Sequence, residues 1–435
     1  MKTFIELKER FKNHAAKVGV LGLGYVGLPL ACEFAKVGFQ VTGFEVDGSK
    51  VKSLLAGKSY IGDIESQEIR DLVKSHRLTA TTDFLKLKDM DAIIICVPTP
   101  LNKTKDPDIS YIDQAARKIA HTLRKGQLIV LESTTYPGTT RDNMLPILEA
   151  KGFKVGVDFF VAFSPERIDP SNRQYKLANT PKVVGGITPA CKDLTVILYG
   201  QIVKQVVPVS SAEAAELTKI LENTFRAVNI GLVNEIMMIC DKLNLSVWEV
   251  IDAASTKPYG FMPFYPGPGL GGHCIPIDPH YLSWKMKSLN FAARFIELAG
   301  EINSHMPDFT VTKIMRTLNQ RKMSINGSKI LVLGVAYKAN VSDMRESPAL
   351  DVIHLLQQMG SHVTYHDPFV PSMIVEKHRM TSRPYSAQLL KSADAVIITT
   401  AHNAFNPKEI LDSAKLVIDT RNMMKGLNAA NLVRL

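Results

Sequence analysis

The stretch Lys17–Asp47, KVGVLGLGYVGLPLACEFAKVGFQVTGFEVD, passes from an apolar run through a cluster of glycines into an amphipathic segment, then into a second apolar run. That order predicts a strand, a tight turn, a helix closed by Gly38 and a second strand ending near Glu45. Gly22, Gly24 and Gly27 form G-x-G-x-x-G between strand and helix, the context that gives the motif its meaning. The first glycine permits the turn, the second lets a pyrophosphate approach the backbone, and the third lets the helix pack on the strand. Tyr25 and Val26 sit between them, where N–H groups at the start of the helix hold an anion. Glu45 lies 21 residues after Gly24, placed to accept hydrogen bonds from both ribose hydroxyls. A 2′-phosphate would be repelled there, so the expected cofactor is NAD and not NADP.

Outward from this βαβ opening, DAIIICVPTP from Asp91 and GQLIVLEST from Gly126 read as further strands ending in Pro/Thr/Ser loops, with helical patterns between and after them. Residues 1–204 are therefore expected to form an α/β domain with a mainly parallel sheet. From about Ser211, SAEAAELTKILENTFRAVNIGLVNEIMMICDKLNL keeps helical spacing with Gly231 as its one interruption, and a second helix is predicted from roughly Phe291 to Met306, ending before Pro307. Residues 205–320 thus read as an all-helical centre whose long helix is a spine or a dimer contact. A weak echo of the opening follows: KILVLGVAYK from Lys329, SPALDVIHLLQQMG and SHVTYHDP, with DAVIITTA and KLVIDTRN as further strands. The fold class is α/β: two doubly wound Rossmann-like domains, the second at 321–435, joined by the helical centre. The second turn has lost the later glycines, so it is expected to bind something other than a dinucleotide.

A chain of 435 residues, 46% apolar, needs more than one core. Its five cysteines, Cys32, Cys96, Cys191, Cys240 and Cys274, are an odd number without a CxxC pair, which supports neither a disulfide framework nor structural zinc. No apolar run reaches the roughly 18 residues of a bilayer span, and the opening MKTFIELKERFKNHAAK mixes acids with bases, so no membrane partner and a cytoplasmic location are expected. The excess of 52 Lys+Arg over 42 Asp+Glu, +10, is scattered along the chain. It suits a phosphorylated small molecule as well as nucleic acid, and most of these lysines read as solvated surface.

The fingerprint, ESTTYPGTT, SPERIDP, AELTKILEN, GGHCIPIDP and LGVAYKANVSDMRESPA occur in this order, and with them the chain resembles the UDP-glucose/GDP-mannose dehydrogenase family from about residue 17 to 425. The resemblance implies a four-electron oxidation in which a sugar C6 alcohol becomes a carboxylate and two NAD are reduced at one site. Its substrate is a UDP-sugar, not a nucleic acid, and its product serves polysaccharide biosynthesis. TKPYGFMPFYPGPGLGGHCIPIDPHYLSWK is similar to members that act on UDP-N-acetylglucosamine. UDP-N-acetylmannosamine, UDP-N-acetylgalactosamine and UDP-glucose are the alternatives, since no motif reads the direction of one hydroxyl. A non-catalytic nucleotide-sugar or NAD sensor would have lost the cysteine or the lysine of these motifs; here Cys274 and Lys219 are both present.

An aldehyde has no departing proton to drive hydride loss, so a nucleophile must add to it first. Cys274 stands among glycines, Pro276 and polar residues, unlike the other four cysteines, which sit in apolar runs or predicted helices and read as buried filler. A zinc site of His273, Cys274, Asp278 and His280 would have to wrap one short loop round the ion, so the thiol reads as the nucleophile. Lys219 and Asn223, four apart on the long helix, would ordinarily be a solvated face; the resemblance assigns them to the oxyanion. It gives Asp278 the C6 proton, Thr134 a bound water and a place beside the cofactor, and Glu166 the water that attacks the thioester. Where relatives carry a second acid four residues after Glu166, this chain has Pro170. The same resemblance places Pro98 and Thr99 at the cofactor, and Glu166, Arg167, Lys219, Asn223, Gly271, Lys338 and Arg345 at the nucleotide-sugar. It also implies a homodimer or a higher homo-oligomer, built on the central helices.

Overall fold

The structure is a computed structural model that describes residues 2–62, 64–102, 106–168, 174–272 and 274–435, with Lys2 described by its backbone alone. The chain divides into two compact units, Met1–Glu222 with His280–Phe291, and Asn223–Pro279 with Ala292–Leu435.

The first unit is built on eight strands: β1 Lys17–Leu21, β2 Gln40–Phe44, β3 Leu78–Thr81, β4 Ala92–Ile95, β5 Leu128–Leu131, β6 Phe160–Phe163, β7 Lys182–Gly186 and β8 Val206–Pro208. They lie in the order β3-β2-β1-β4-β5-β6-β7-β8, and β6 and β7 form the antiparallel pair in an otherwise parallel sheet. Val18 pairs with Val41 on one side and Ala92 on the other, so β1 and β4 flank the point where the strand order reverses. Ligands of doubly wound sheets bind outside the carboxyl ends of such strands. β4, β5 and β6 are buried along their whole length because helices cover both faces. Ile94 enters one core while Ile93 and Ile95 enter the other, as the two-residue period of a strand requires.

The second unit carries β9 Lys329–Leu333, β10 His362–His366, the hairpin β11 Ser372–Val375 and β12 His378–Thr381, then β13 Ala395–Ile398, β14 Val417–Asp419 and β15 Leu432–Arg434. Five of these form a parallel sheet, β10-β9-β13-β14-β15, again doubly wound. The echo seen in the sequence extends to hydrogen bonds. Glu45, just past β2, accepts the N–H of Leu23 at 3.1 Å; Asp367, just past β10, accepts those of Val335 and Ala336 at 2.7 and 3.1 Å. Asp367 is also met by Nε2 of His402 at 3.0 Å, while Nδ1 of that ring accepts the N–H of Asn340 at 2.9 Å, so the ring is neutral with its proton on Nε2. Burial pushes the Asp367 carboxyl up, but His402 and the N–H groups of Val335 and Phe369 outweigh it and bring it down to about 2. The helix that follows this turn starts only at Pro348, whereas in the first unit it starts at Gly27.

The spine helix runs from Ala212 to Leu243 without a break at Gly231, whose absent side chain lets Ala299 of the helix Arg294–Gln320 approach: a Cβ there would lie 3.2 Å from the Ala299 Cα. That second helix corrects the sequence reading. It begins at Arg294 and continues through Pro307 to Gln320 instead of stopping at Met306. A proline removes one helical hydrogen bond and crowds the preceding turn. Here Met306, Pro307, Thr310 and Val311 are all buried, and that packing outweighs the local cost. Among the described residues no helix is long and apolar enough to cross a membrane.

Candidate active site

At the carboxyl ends of β1 and β4 the glycine turn meets the Cys96–Thr99 segment. Gly22 has φ +88°, and a Cβ on it would sit 2.4 Å from the carbonyl of Cys96. A Cβ on Gly27 would lie 1.9 Å from the carbonyl of Gly22, so the third glycine sets the approach of helix Gly27–Lys36 to the strand. At Gly24 a Cβ would meet nothing within 4 Å: the backbone there faces open space. Leu28 donates to the Gly24 carbonyl at 3.1 Å and Leu30 to that of Val26 at 3.2 Å, so the helical ladder starts at the second glycine and the helix N-terminus faces this turn. Glu45 is buried, with Oε2 on Leu23 N–H and Oε1 on Val46 N–H at 2.9 Å, while Lys50 lies 3.6 Å away. Oε1 also accepts the N–H of Asp47 at 3.3 Å, so it is Oε2 that keeps a lone pair for a ribose hydroxyl. Pro98 and Thr99 follow β4, and the Thr99 carbonyl accepts the hydroxyl of Tyr281 at 2.6 Å. Open space for a pyrophosphate, donors beside it and an acid for the ribose together fit NAD.

Also in the first unit, Thr134 is half-buried in the loop after β5. That loop is fastened by Glu216 of the spine helix, which accepts Gly138 N–H at 2.6 Å and Thr140 N–H at 2.9 Å; burial pushes its carboxyl up to about 7. Glu166 follows β6, with Oε1 accepting the N–H groups of Arg167 and Ile168 at 2.6 and 2.7 Å. Burial works against its charge, yet Lys182, these two N–H groups and Lys219 hold the carboxyl below its ordinary range. Lys219 is itself buried. Arg167 turns its guanidinium to Glu222, at 2.6 Å, and to the carbonyl of Pro181, at 2.7 Å.

The second unit holds the thiol. Cys274 is half-buried, and its carbonyl accepts Ile277 N–H at 3.1 Å and Asp278 N–H at 2.8 Å, a turn that leads straight into the helix Asp278–Lys287. The Asp278 carboxylate accepts the amide of Asn223 at 2.5 Å, and the other end of that amide takes a guanidinium N–H of Arg226. Asn223 and Asp278 are both buried, so Arg226 fixes which way the amide points. The glycines ahead of the thiol pack against the 337–348 segment. A Cβ on Gly271 would meet Tyr337 Cβ at 2.8 Å, one on Gly272 (φ +91°) would meet the Tyr337 ring at 2.8 Å, and Gly272 N–H donates to the Arg345 carbonyl at 3.1 Å. The Arg345 side chain pairs with Asp343 at 2.6 Å, and Lys338 lies half-buried beside Tyr337. Arg421, just past β14, lies against Gly267 and gives its Nε–H to the Thr399 carbonyl at 2.9 Å. Burial lowers the guanidinium to about 10, against the opposing pull of the nearby Asp419 carboxylate. Pro170 and His273 lie outside the described residues. Among those described, no three His, Cys, Asp or Glu side chains gather as a metal site.

Three charged residues here escaped the sequence reading. Arg226 had a usable signal, being three residues from Asn223 on one helical face. Lys182 heads a strand that is otherwise apolar, and Arg421 stands at the carboxyl end of one.

Models of one protein family match the chain in three consecutive stretches. The UDP-glucose/GDP-mannose dehydrogenase family NAD binding domain covers residues 16–203, the family's central domain 213–305 and its UDP binding domain 331–426. A UDP-N-acetyl-D-glucosamine 6-dehydrogenase of Pseudomonas aeruginosa is 33% identical over 391 residues, 89% of this chain and 91% of that protein. A UDP-N-acetyl-D-mannosamine dehydrogenase of Pyrococcus horikoshii is 35% identical over 416 residues, 94% and 96% of the two chains. A solved structure of the UDP-D-ManNAc dehydrogenase of Pyrococcus horikoshii matches with TM-score 0.88 at 33% identity, covering 96% of this chain and 98% of its own. The chain belongs to the UDP-glucose/GDP-mannose dehydrogenase family and is an NAD-dependent UDP-sugar dehydrogenase.

Proposed function

We propose that the chain oxidises the C6 alcohol of a UDP-N-acetylhexosamine to the carboxylate, with UDP-N-acetylglucosamine as first choice. The observation that carries this reading is Cys274 in the turn before Asp278, whose carboxylate holds the Asn223 amide, in the unit that contains the UDP binding domain. The 33% relative acts on UDP-N-acetyl-D-glucosamine by its name. UDP-N-acetylmannosamine is the second reading, favoured by the 35% relative.

Bound NAD supplies the acceptor for both two-electron steps. Asp278 takes the C6 hydroxyl proton through a water held by Thr134. Lys219 and the second N–H of Asn223 hold the negative oxygen. The Cys274 thiolate then adds to the C6 aldehyde, and the oxidised form of this thiohemiacetal is a thioester. Glu166 directs water to the thioester carbonyl, which releases the acid and returns the thiol. On this reading residues 1–204 carry the cofactor, 205–320 the spine and 321–435 the nucleotide-sugar, with Lys338, Arg345 and Arg421 as its cations. The exposed stripe Leu217, Leu221, Phe225, Leu232, Ile239 and Leu243 on the spine helix suits a homodimer.

NADH formation over a panel of UDP-sugars tests the reading. About two NADH per sugar consumed is expected, with an N-acetylhexosamine as the best substrate; no turnover of any UDP-sugar sinks it. Arg421→Met is expected to weaken UDP binding by about 10- to 100-fold and to leave NAD affinity unchanged, because only the anion of the nucleotide-sugar meets this cation. Calorimetry with each ligand separates the two, and unaltered UDP affinity removes Arg421 from the site.

A further inference from the structure

Behind Glu166 the first unit buries a cation and a second acid that no step above uses, and with Glu166 they form an acid–cation–acid row. Lys182, first residue of β7, has a side chain only 3% exposed; its Nζ lies 3.0 Å from Oε2 of Glu132 and 3.3 Å from Oε2 of Glu166. Glu132 follows β5 and is buried, with its other oxygen accepting the hydroxyl of Tyr199 from the helix Pro189–Tyr199. The ammonium also stands 5.3 Å from the centre of the Tyr199 ring. Lys219 adds positive charge on the Glu166 side, and the Cys96 thiol beyond β4 is kept protonated by burial and by Glu132.

Stability alone does not account for this row, since buried ion pairs replaced by well-packed apolar groups often leave a protein as stable or more so. Its outer end is the carboxylate assigned above to the hydrolytic water. We propose that Lys182 is a positioning residue for thioester hydrolysis, fixing the Glu166 carboxylate in one orientation and ionised, while Glu132 and Tyr199 hold the Lys182 ammonium in place. The proposal rests on the role given to Glu166 in the preceding subsection. Both Glu166 oxygens are engaged, Oε1 by two backbone N–H groups and Oε2 by Lys182, so the one lone pair left for water, on Oε2, has a set direction. One cation faces two carboxylates, and a surplus proton has a preferred seat. Burial raises Glu132, with Lys182 opposing and Glu166 adding to the rise, whereas Glu166 is held below its ordinary range. Burial by itself would discharge Lys182, but Glu132 and Glu166 raise it above its usual value, so the cation persists.

Lys182→Met alone would strand Glu132 as an unpaired buried acid, so the test uses the double variant K182M/E132L, which removes the cation and its inner partner together. Two readouts are taken: the titration of Glu166 by carboxyl 13C NMR, assigned with E166Q, and the pH profile of kcat for NADH formation. A depressed carboxyl is ionised above its folded pKa and loses that charge as pH falls. Without Lys182 the Glu166 titration is expected to move up by about one pH unit or more. The acid limb of kcat moves with it, kcat falls about 10- to 100-fold, and KM stays in place. K182R, with Glu132 intact, is expected to keep the low titration and most of kcat. An unmoved Glu166 titration overturns the positioning role whatever the turnover, and a moved titration with wild-type kcat overturns it as well. An enzyme that turns over no UDP-sugar fails instead in the substrate panel, so the two failures are distinct.

Discussion

Cys274→Ser is expected to lower steady-state NADH formation by about 10³-fold or more while UDP-sugar affinity stays within about twofold. The two side chains differ by one atom and the turn that holds them is made by backbone: the residue-274 carbonyl accepts the N–H groups of Ile277 and Asp278, and serine keeps both bonds. What changes is chemical. A thiol reaches its nucleophilic anion near neutral pH, whereas a serine hydroxyl needs a strong base beside it. An oxygen adduct that did form would also oxidise to an ester, a poorer acyl donor to water than a thioester. The first oxidation needs no thiol, so the variant is expected to stall after it, and rapid-quench analysis should find at most about one NADH per bound sugar where the parent yields about two. Isothermal titration with the UDP-sugar checks that binding survives. A serine variant that runs at the parental rate and returns two NADH per sugar sinks the covalent route, and with it the role assigned to Cys274.

How much of this could be read from the sequence depended on whether the deciding physics was local. The βαβ opening was legible because strand, turn and helix each leave a periodic signature within 31 residues, and Gly22 and Gly27 adopt the strained or crowded places that the motif assigns to glycine. The second doubly wound unit was legible for the same reason, although the acid at the end of its second strand, Asp367, went unread. Pro307 was misread since its helix-breaking effect is local and its compensation is not: the burial of Met306, Thr310 and Val311 has no mark in the flanking sequence. Glu45 shows a subtler gap. Spacing gave its place, but not that both of its oxygens would also tie down backbone N–H groups. Lys182 and Glu132 are 50 residues apart and Asn223 and Asp278 are 55 apart. Such pairs exist only once strands and helices have assembled, and no motif spacing could have joined them.

Substituting two glycines of one motif is expected to fail in two different ways. Gly24→Val should leave the thermal midpoint close to that of the parent and raise the NAD dissociation constant by about 100-fold or more, because the new side chain enters space that the protein leaves open and a pyrophosphate needs. Gly27→Ala should instead lower the thermal midpoint by several degrees or leave the chain unfolded, since its Cβ would fall 1.9 Å from the Gly22 carbonyl and 3.2 Å from the Cys96 Cβ. Neither neighbour is the end of a flexible chain: one is backbone in a turn at φ +88°, the other a side chain wedged at the switch point. Relief therefore has to come from sliding the whole Gly27–Lys36 helix off β1, and that helix buries Leu28, Leu30, Ala31 and Phe34. Overpacking a core in this way typically costs about 1–3 kcal/mol. Differential scanning fluorimetry with and without NAD distinguishes the outcomes, as bound cofactor raises the midpoint of any chain that binds it. Gly24→Val should melt like the parent without NAD and gain nothing when it is added. If it instead gains as much as the parent, the glycine turn is not the seat of the pyrophosphate; if Gly27→Ala melts with the parent, the close approach of helix and strand is not what the third glycine secures.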